Sequence, residues 1–152
     1  IKDFMSHLLS KDTFDHFYFI EASIKMGVSY QIQGRINEGF YDTSVEQTLN
    51  REFCYWKEIR HRIFDIIKGK RLPLSCKIVL GLSKQSISYL IAHNNSSFRE
   101  EDIEGIYINI LYDPKNLLIT TGISYKNFSL DKSLEYAFDE YLAKFLKEKA
   151  VI

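Results

Sequence analysis

Apolar and polar positions along the chain follow two different periods, and the changes of period define the elements that the sequence predicts. Residues 1–9 carry apolar side chains at helical spacing and predict a short amphipathic helix. Residues 16–25 are rich in aromatic and β-branched types, which is typical of a strand. Apolar and polar side chains then alternate over residues 28–36. That alternation favours an antiparallel strand with one solvated face, joined to the preceding strand by a turn at Met26-Gly27.

The middle of the chain predicts a helix, a strand and a second helix, after a polar and irregular stretch at residues 40–50. Residues 51–68 give the clearest helical pattern, with charged side chains opposite an apolar stripe. The largely apolar residues 72–82 favour a buried strand. Ser83 is placed to cap a short helix over residues 84–93. The apolar stripe of the first helix comprises Phe53, Trp56, Ile59, Ile63, Ile66 and Ile67.

The last third of the chain predicts a second hairpin and a long helix. Strand-like residues 106–113 and 116–125 flank the turn Asp113-Pro114-Lys115-Asn116, where proline occupies a favoured position. Residues 129–149 form an amphipathic pattern with acids near its start and lysines near its end, which matches the helix dipole. Its apolar face comprises Leu134, Phe138, Tyr141, Leu142 and Phe145.

These elements together predict a single α+β domain spanning residues 1–152. We expect a mainly antiparallel sheet of about five strands (two hairpins plus one strand) with helices on one face. The composition fits an ordinary globular domain, since 45% of residues are hydrophobic and 26% are charged. The order of the strands does not follow from the pattern.

Charge and cysteine usage narrow the class of protein. Lys+Arg and Asp+Glu number 20 each, so the net charge is zero, which disfavours nucleic-acid binding because phosphate contacts require a basic surface. Cys54 and Cys76 form no C-x-x-C motif and are expected to be buried, reduced thiols, with a single disulfide between them as the alternative. No apolar run reaches the roughly 18 residues that span a bilayer, and no signal peptide is visible. We therefore expect a cytoplasmic protein that does not enter the membrane.

Several stretches resemble a family of uncharacterised bacterial proteins, known as a domain of unknown function in Gram-positive anaerobes. They are DFMSHLL, TFDHF, GRIN followed by FY, IIKGKRLPLSCKIVL, TTG and LDKSLEYAFDEYLAKFLK. The resemblance extends over most of the chain. It implies an intracellular bacterial protein with a short strand before residue 1, and it brings no catalytic residue, substrate or cofactor.

The stretch Lys68-Gly69-Lys70-Arg71 combines glycine with three cations and so invites comparison with phosphate-binding loops. Such loops use the positive end of a helix dipole, whereas this glycine follows a helix and meets the negative end. The spacing G-x-x-x-x-G-K-[ST] is also absent. The pattern therefore favours a helix end, with Gly69 in left-handed geometry and cations attracted by the dipole.

The segment 51–71 nevertheless keeps a local excess of positive charge, with seven Lys/Arg against three acids. Aromatic residues are interleaved with these cations, a combination that binds single-stranded nucleic acid or a nucleotide. Because the aromatics fall on the apolar stripe, core positions are the preferred interpretation. A second interpretation is that the cations form ion pairs with the acidic run Glu100-Glu101-Asp102-Glu104, within the chain or across a dimer. The candidate anion-binding residues are Lys57, Arg60, Arg62, Lys68, Lys70 and Arg71.

No metal or catalytic motif is recognisable in the sequence. The four histidines form none of the spacings typical of metal sites. Asp12, Asp15 and His16 are close enough to supply ligands, although polar residues between a helix and a strand more often cap or turn. There is no G-x-S-x-G and no Cys/His signature. We therefore expect no metal and no cofactor.

The interpretation favoured by the sequence is a non-catalytic binding or protein-interaction module. Its partner would be an unknown protein or a second copy of itself. One alternative is a binder of a nucleotide, nucleic acid or other anion through the basic segment 57–71. The other is an enzyme whose site is dispersed along the sequence, which a pocket gathering ionisable groups with shifted pKa values would favour.

Overall fold

A computed structural model describes residues 1–41, 51–94 and 96–151 of the chain. Within these ranges four α-helices and five strands form one α+β unit, as the sequence predicts. A short 3-10 turn at Glu100–Asp102 precedes the fourth strand. In chain order the elements are α1 (Lys2–Leu9), β1 (Tyr18–Lys25), β2 (Ser29–Gln33), α2 (Trp56–Ile67), β3 (Ser75–Gly81), α3 (Lys84–His93), β4 (Ile103–Tyr112), β5 (Leu117–Tyr125) and α4 (Ser133–Glu148).

The five strands form one sheet in the order β2-β1-β3-β4-β5, and every neighbouring pair is antiparallel. The two predicted hairpins, β1–β2 and β4–β5, lie on either side of β3. Strand β3 therefore joins the two hairpins, and β2 and β5 are the edges. Antiparallel strands can keep one solvated face, which explains the alternating burial along the second half of β1, whereas the last four residues of the central strand β3 are all buried.

The core lies between the inner face of the sheet and the helices. A row of inward-facing side chains crosses four strands through Ala22, Ile78, Ile110 and Ile119. The first three are at most 2% exposed. The helices contribute the apolar residues that the pattern predicts. Trp56, Ile63, Phe138 and Leu142 are buried, and Ile59 is half-buried.

The local signals read from the sequence are confirmed at three places. Ser83 caps α3, since its Oγ accepts a hydrogen bond from the Ser86 N–H at 3.3 Å. The turn after β4 is closed by backbone bonds in both directions between Asp113 and Asn116. Gly69 follows the C-cap of α2 with a φ of 144°, a backbone conformation that favours glycine.

Helix α2 begins five residues later than predicted, so the expected start at residue 51 is wrong. Phe53 and Tyr55 lie in extended backbone, where they form isolated bridges with Arg35 and Tyr18. The helix starts at Trp56 because Glu58 Oε2 accepts a hydrogen bond from the Tyr55 N–H at 2.6 Å. Phe53 is therefore not on the helix stripe. Most of the predicted irregular stretch 40–50 lies outside the described residues.

Strand β2 is also shorter than the predicted 28–36. It ends at Gln33 because Gly34 packs directly on the backbone of Phe19, where any Cβ would overlap the Phe19 carbonyl oxygen. Val28 lies before the strand and is 64% exposed. The close approach at Gly34 turns the chain toward Arg35 and the end of the sheet.

Candidate functional site

Arg60, one of the six predicted anion-binding residues, is part of the structural framework. Its guanidinium donates two hydrogen bonds to Asp15, at 2.8 Å and 3.1 Å, and a third to the Leu9 carbonyl at 3.3 Å. Both side chains of the ion pair are nearly buried, at 12% and 9% exposure. A bidentate pair of this kind fixes orientation as well as charge. Arg60 therefore ties α2 to the segment that follows α1.

The other five predicted residues are exposed to solvent. Lys57 and Arg62 both lie on α2, but five positions separate them, which is about 140° around a helix axis. Lys68 pairs with Asp65 at 3.1 Å. Lys70 and Arg71 follow the end of the helix. The structure thus spreads these cations around α2 and its C-terminal end instead of gathering them on one helix face.

The acidic run contacts Arg99, which directly precedes it, and Ser124 on the neighbouring strand β5. Arg99 lies 3.6 Å from Glu101 and 3.9 Å from Asp102, and the Ser124 hydroxyl donates to Glu104 at 2.8 Å. No ion pair between this run and the basic segment is present among the described residues.

The three residues considered as metal ligands do not converge. Asp15 is bound to Arg60, while Asp12 and His16 line a shallow cavity of about 280 Å³ beside Phe145. Within residues 1–41, 51–94 and 96–151, no three His, Cys, Asp or Glu side chains are grouped so as to hold a metal ion.

Seven charged side chains surround a cavity at one end of the sheet. At this end β2, β3 and β5 finish while β1 and β4 begin. The cavity encloses about 580 Å³ and adjoins a smaller recess of about 60 Å³ above Gly81. We call the two together the charged cleft. Its charged lining residues are Arg35, Glu52, Lys84, Glu100, Glu101, Glu104 and Lys126.

Two irregularities of the sheet form the inner part of the charged cleft. The register shifts between Phe19 and Glu21 on β1, which leaves Ile20 unpaired, and again around Glu104 on β4. Both unpaired residues line the recess. A bulge re-aims the side chain of its extra residue, and bulges occur next to functional sites more often than elsewhere in sheets. The two bulges lie on strands that flank β3 on opposite sides.

Glycine residues provide the space that the cleft occupies. A Cβ on Gly105 would overlap the ring and hydroxyl of Tyr107, so this glycine lets Tyr107 fold back along β4. A Cβ on Gly81 would stand 3.0 Å from the Ile20 side chain. Tyr107 pairs in register with Gly81 on one side and Gly122 on the other. Its ring therefore has no side chain directly opposite it on either neighbouring strand.

Tyr107 lies among charges of both signs. Burial raises the pKa of its hydroxyl, and the carboxylates of Glu104 and Glu52 raise it further, while Arg35 opposes them. At neutral pH the phenol is therefore protonated and can donate a hydrogen bond to a ligand. Tyr18, at the inner end of the cleft, also has a raised pKa because of burial.

Most charges in the cleft are available to a ligand. Arg35 and Glu52 form the one ion pair between described lining residues, at 3.4 Å with both side chains at least 60% exposed. Lys84, Lys126 and Glu100 form no ion pair with any described residue. Lys84, Lys126 and Glu100 thus face the same cavity without neutralising one another.

Arginine side chains lie over aromatic rings beside the cleft, and of these rings Phe53 lines it. Arg35 lies over the Phe53 ring at 5.1 Å, and Arg51 over the Tyr55 ring at 4.5 Å. The Tyr18 ring lies 6.0 Å from Phe53 and 5.4 Å from Tyr55. Each cation–π contact contributes about 0.5–1 kcal/mol at an exposed site. The segment 51–71 thus does place aromatic rings beside cations, but Phe53 and Tyr55 lie in extended backbone before α2, and the cation over Phe53 is Arg35, from outside the segment.

None of the six predicted anion-binding residues lines the charged cleft, and the acidic run was considered only as a partner for those cations. The charged residues come from five separate places in the chain, and all but Glu52 lie close to the end of a strand. Arg35, Lys84 and Lys126 follow β2, β3 and β5, while Glu104 begins β4. The glycines at 34, 81 and 105, adjacent to these strand ends, were the available signal.

The two thiols are poor nucleophiles in this environment. Burial raises the pKa of Cys54 and of Cys76 to about 11 in each case. Both are free, as the absence of a C-x-x-C motif suggested. Cys76 lies in the core at 3% exposure, and Cys54 is half-buried.

Comparison with known proteins gives one match. No curated protein and no solved structure shows significant similarity to the chain. No helix in the described residues has the length and apolar character needed to cross a bilayer. A family model matches residues 7–152, which includes every residue that lines the charged cleft. The chain belongs to a family of unknown function (DUF5721).

Proposed function

We propose that the protein is a non-catalytic binding module of the bacterial cytoplasm and that the charged cleft is its ligand site. The observation that carries this proposal is a cavity of about 580 Å³ that Lys84, Lys126 and Glu100 line without forming an ion pair with any described residue. Small-molecule sites in proteins typically measure about 300–1,000 Å³ and place a few polar groups at fixed positions.

The mixed charge of the cleft favours a small ligand that carries both an anionic and a cationic group, such as an amino acid or a short peptide. Lys84 and Lys126 offer ammonium groups to a carboxylate, and Glu100 offers a carboxylate to an amine. A ligand of one sign would meet like charges on the opposite wall, which costs binding free energy. The Tyr107 hydroxyl adds a neutral donor to the same cavity.

The protonation states support binding over catalysis. A general base functions best when its pKa is near the working pH, and a nucleophilic thiol needs a lowered pKa. The Tyr107 pKa is raised, both thiol pKa values are about 11, and the lining residues include neither histidine nor cysteine. An enzyme with a dispersed site is the alternative, and turnover of a bound ligand would establish it.

Thermal stability measured against a panel of free amino acids, dipeptides, polyamines and mononucleotides tests the proposal. A ligand at 100 times its dissociation constant stabilises the fold by about 2.7 kcal/mol, which is a measurable shift in Tm. We expect dipeptides or amino acids to shift the Tm of the wild type, and Glu104→Gln and Lys84→Met each to reduce the shift.

Lys57→Met is the matched control, because Lys57 is an exposed lysine on α2 outside the charged cleft. It should respond to the panel as the wild type does. A ligand shift that survives both cleft substitutions, or a panel without any shift, would contradict the assignment of the cleft as the ligand site.

A second candidate function is anion binding by the basic segment. It is supported by Lys57, Arg62, Lys70 and Arg71, which are exposed and form no ion pair with a described residue. Their phosphate contacts would make binding weaken steeply with salt. Fluorescence anisotropy with a short single-stranded oligonucleotide tests this, and unchanged binding by Lys70→Glu with Arg71→Glu would exclude the segment.

A further inference from the structure

Strand β5 is an edge of the sheet that lacks the usual protection against pairing. It is nine residues long, from Leu117 to Tyr125, and contains no charged residue and no proline. Its register with β4 is continuous from Leu117 to Ser124, because the bulge in this hairpin lies on β4. Natural edge strands are commonly protected by lysine, proline, a bulge or short length, and β5 has none of these.

The other edge of the sheet offers a contrast. Strand β2 has five residues and ends where Gly34 packs on the Phe19 backbone, after which the chain turns away at Arg35. Short length and a departing chain are recognised ways to limit edge pairing. The two edges of one sheet are therefore built differently, and only β5 presents a long regular template.

The free backbone groups of β5 can be identified from the turn. Asp113 and Asn116 exchange two backbone hydrogen bonds, so they form a hydrogen-bonded pair. Such pairs alternate with non-hydrogen-bonded pairs along an antiparallel ladder. The N–H and C=O groups of Leu117, Ile119, Thr121 and Ile123 therefore point away from β4. Those of the intervening residues bond to β4.

No described segment of the chain covers this edge. Outside the sheet ladders, none of the backbone hydrogen bonds within residues 1–41, 51–94 and 96–151 ends on residues 117–125. A side chain of the strand bonds to α4, since the Thr121 hydroxyl donates to Asp139 at 2.7 Å.

We propose that a second copy of this chain occupies the edge, pairing its own β5 antiparallel to the first to form a continuous ten-stranded sheet. The arrangement is isologous, since the same strand serves on both sides of a two-fold axis. Centred on Thr121, it places Ile119 of one protomer opposite Ile123 of its partner, and the converse. Ile119, Thr121 and Ile123 all present outward N–H and C=O groups, so each can form both backbone hydrogen bonds with the partner strand.

The side chains of β5 are compatible with this self-pairing. On the inner face, Ile119 opposes Ile123 and extends the apolar row beneath the sheet. On the outer face, Thr120 opposes Gly122, and Leu118 opposes Ser124. Cross-strand pairs with like charges destabilise a sheet, and an uncharged strand cannot produce them when it meets a copy of itself. A strand such as β1, which carries Glu21 and Lys25, lacks this property.

Amide hydrogen exchange combined with sedimentation analysis tests the proposal. The expected result is a dimer whose formation protects the amides of Ile119, Thr121 and Ile123 as the protein concentration rises. The amides of Leu118, Thr120 and Gly122 bond to β4 and should be protected at every concentration. A chain that stays monomeric, or a dimer whose odd-numbered amides exchange freely, would overturn the proposal.

Substitution at Thr121 provides the matched pair of variants. Thr121→Pro removes the central outward donor without breaking a bond to β4, and we expect the dissociation constant of the dimer to rise about tenfold or more. Thr121→Val keeps the donor and removes the hydroxyl bonded to Asp139, so it should dimerise like the wild type. Equal dissociation constants for the two variants would contradict edge pairing. If the proline variant fails to fold, the exchange pattern of the wild type decides alone.

Discussion

Two arginine–carboxylate pairs in the molecule have the same chemistry and different surroundings. Arg60 and Asp15 form a bidentate pair with both side chains at most 12% exposed. Arg35 and Glu52 meet through a single contact at 3.4 Å, and both side chains are at least 60% exposed. The first pair joins helices to the core, and the second lies at the rim of the charged cleft.

The difference shows why charge in a sequence does not by itself locate a binding surface. Removing one partner of a buried pair leaves an uncompensated charge, which costs several kcal/mol. An exposed pair contributes about 0–1 kcal/mol and can exchange its partner for a ligand at little cost. Arg60 is therefore committed to the fold, whereas Arg35 is available. Substitutions near the buried pair should therefore lower stability, whereas substitutions in the charged cleft should mainly affect ligand binding.

The largest loss of stability is expected on substitution of Trp56, which lies in the core close to the buried Arg60–Asp15 pair. Its ring is fully buried and its Nε1–H donates to the Leu8 carbonyl at 2.7 Å, next to the bond between Arg60 and Leu9. Trp56→Ala should lower the free energy of unfolding by about 3–5 kcal/mol. Urea denaturation measures this change. A variant with wild-type stability would contradict the position of Trp56 in the core.

The buried pair itself should give the next largest effect. Asp15→Ala leaves the Arg60 guanidinium without its partner and should cost about 3 kcal/mol of stability, toward the lower end for buried pairs. The double variant Asp15→Ala with Arg60→Met removes both charges and should recover part of this loss. If the single variant loses less than about 1 kcal/mol, the pair behaves as a surface pair and the comparison fails.

Gly105→Ala tests whether the position of Tyr107 in the charged cleft is needed for ligand binding. A Cβ at this position overlaps Tyr107, so the ring must move out of its place. We expect a stability loss of about 1–3 kcal/mol from the overpacking. Any ligand shift in Tm seen with the wild type should be lost as well. Gly122→Ala is the control, since nothing lies within 4 Å of a Cβ there.

Arg35→Ala should have the smallest effect on stability, about 0–1 kcal/mol, because its ion pair is exposed. Its effect on ligand binding should be larger, since it contributes a cation to the rim and a cation–π contact to Phe53. Calorimetric titration with the ligand identified by thermal shift measures the difference. A stability loss as large as that of Asp15→Ala would place Arg35 with the structural arginines.

The elements of the fold were predictable because their signals are local. The Ser83 cap, the turn at Asp113-Pro114 and the helical end at Gly69 each depend on a few neighbouring residues. The start of α2 could not be predicted in this way, because bridges to the distant residues Arg35 and Tyr18 hold Phe53 and Tyr55 in extended backbone. Local helical spacing could not register that competition.

The charged cleft was beyond prediction for the same physical reason. Its charges are separated in sequence and meet only because β3 pairs with both β1 and β4, an order that the pattern of apolar residues does not encode. The basic segment 51–71 was prominent because its charges are contiguous. Charges that are contiguous in sequence lie together on the helix surface. The charges of the cleft lie mostly near the ends of different strands, which are far apart in sequence.

The strand order also has a consequence for the kinetics of folding. The β1–β2 and β4–β5 hairpins close over short loops and can form on the microsecond scale. Joining the two hairpins requires β3 to pair with β1. In this pairing Lys25 lies opposite Ser75 and Tyr18 lies opposite Gly81, so residues separated by a long stretch of chain must come together. Closing that loop costs entropy before the core repays it. Docking of the two hairpins onto β3 should therefore limit the folding rate, and substitutions at Ala22 or Ile78 should slow folding more than equally destabilising changes within either hairpin turn.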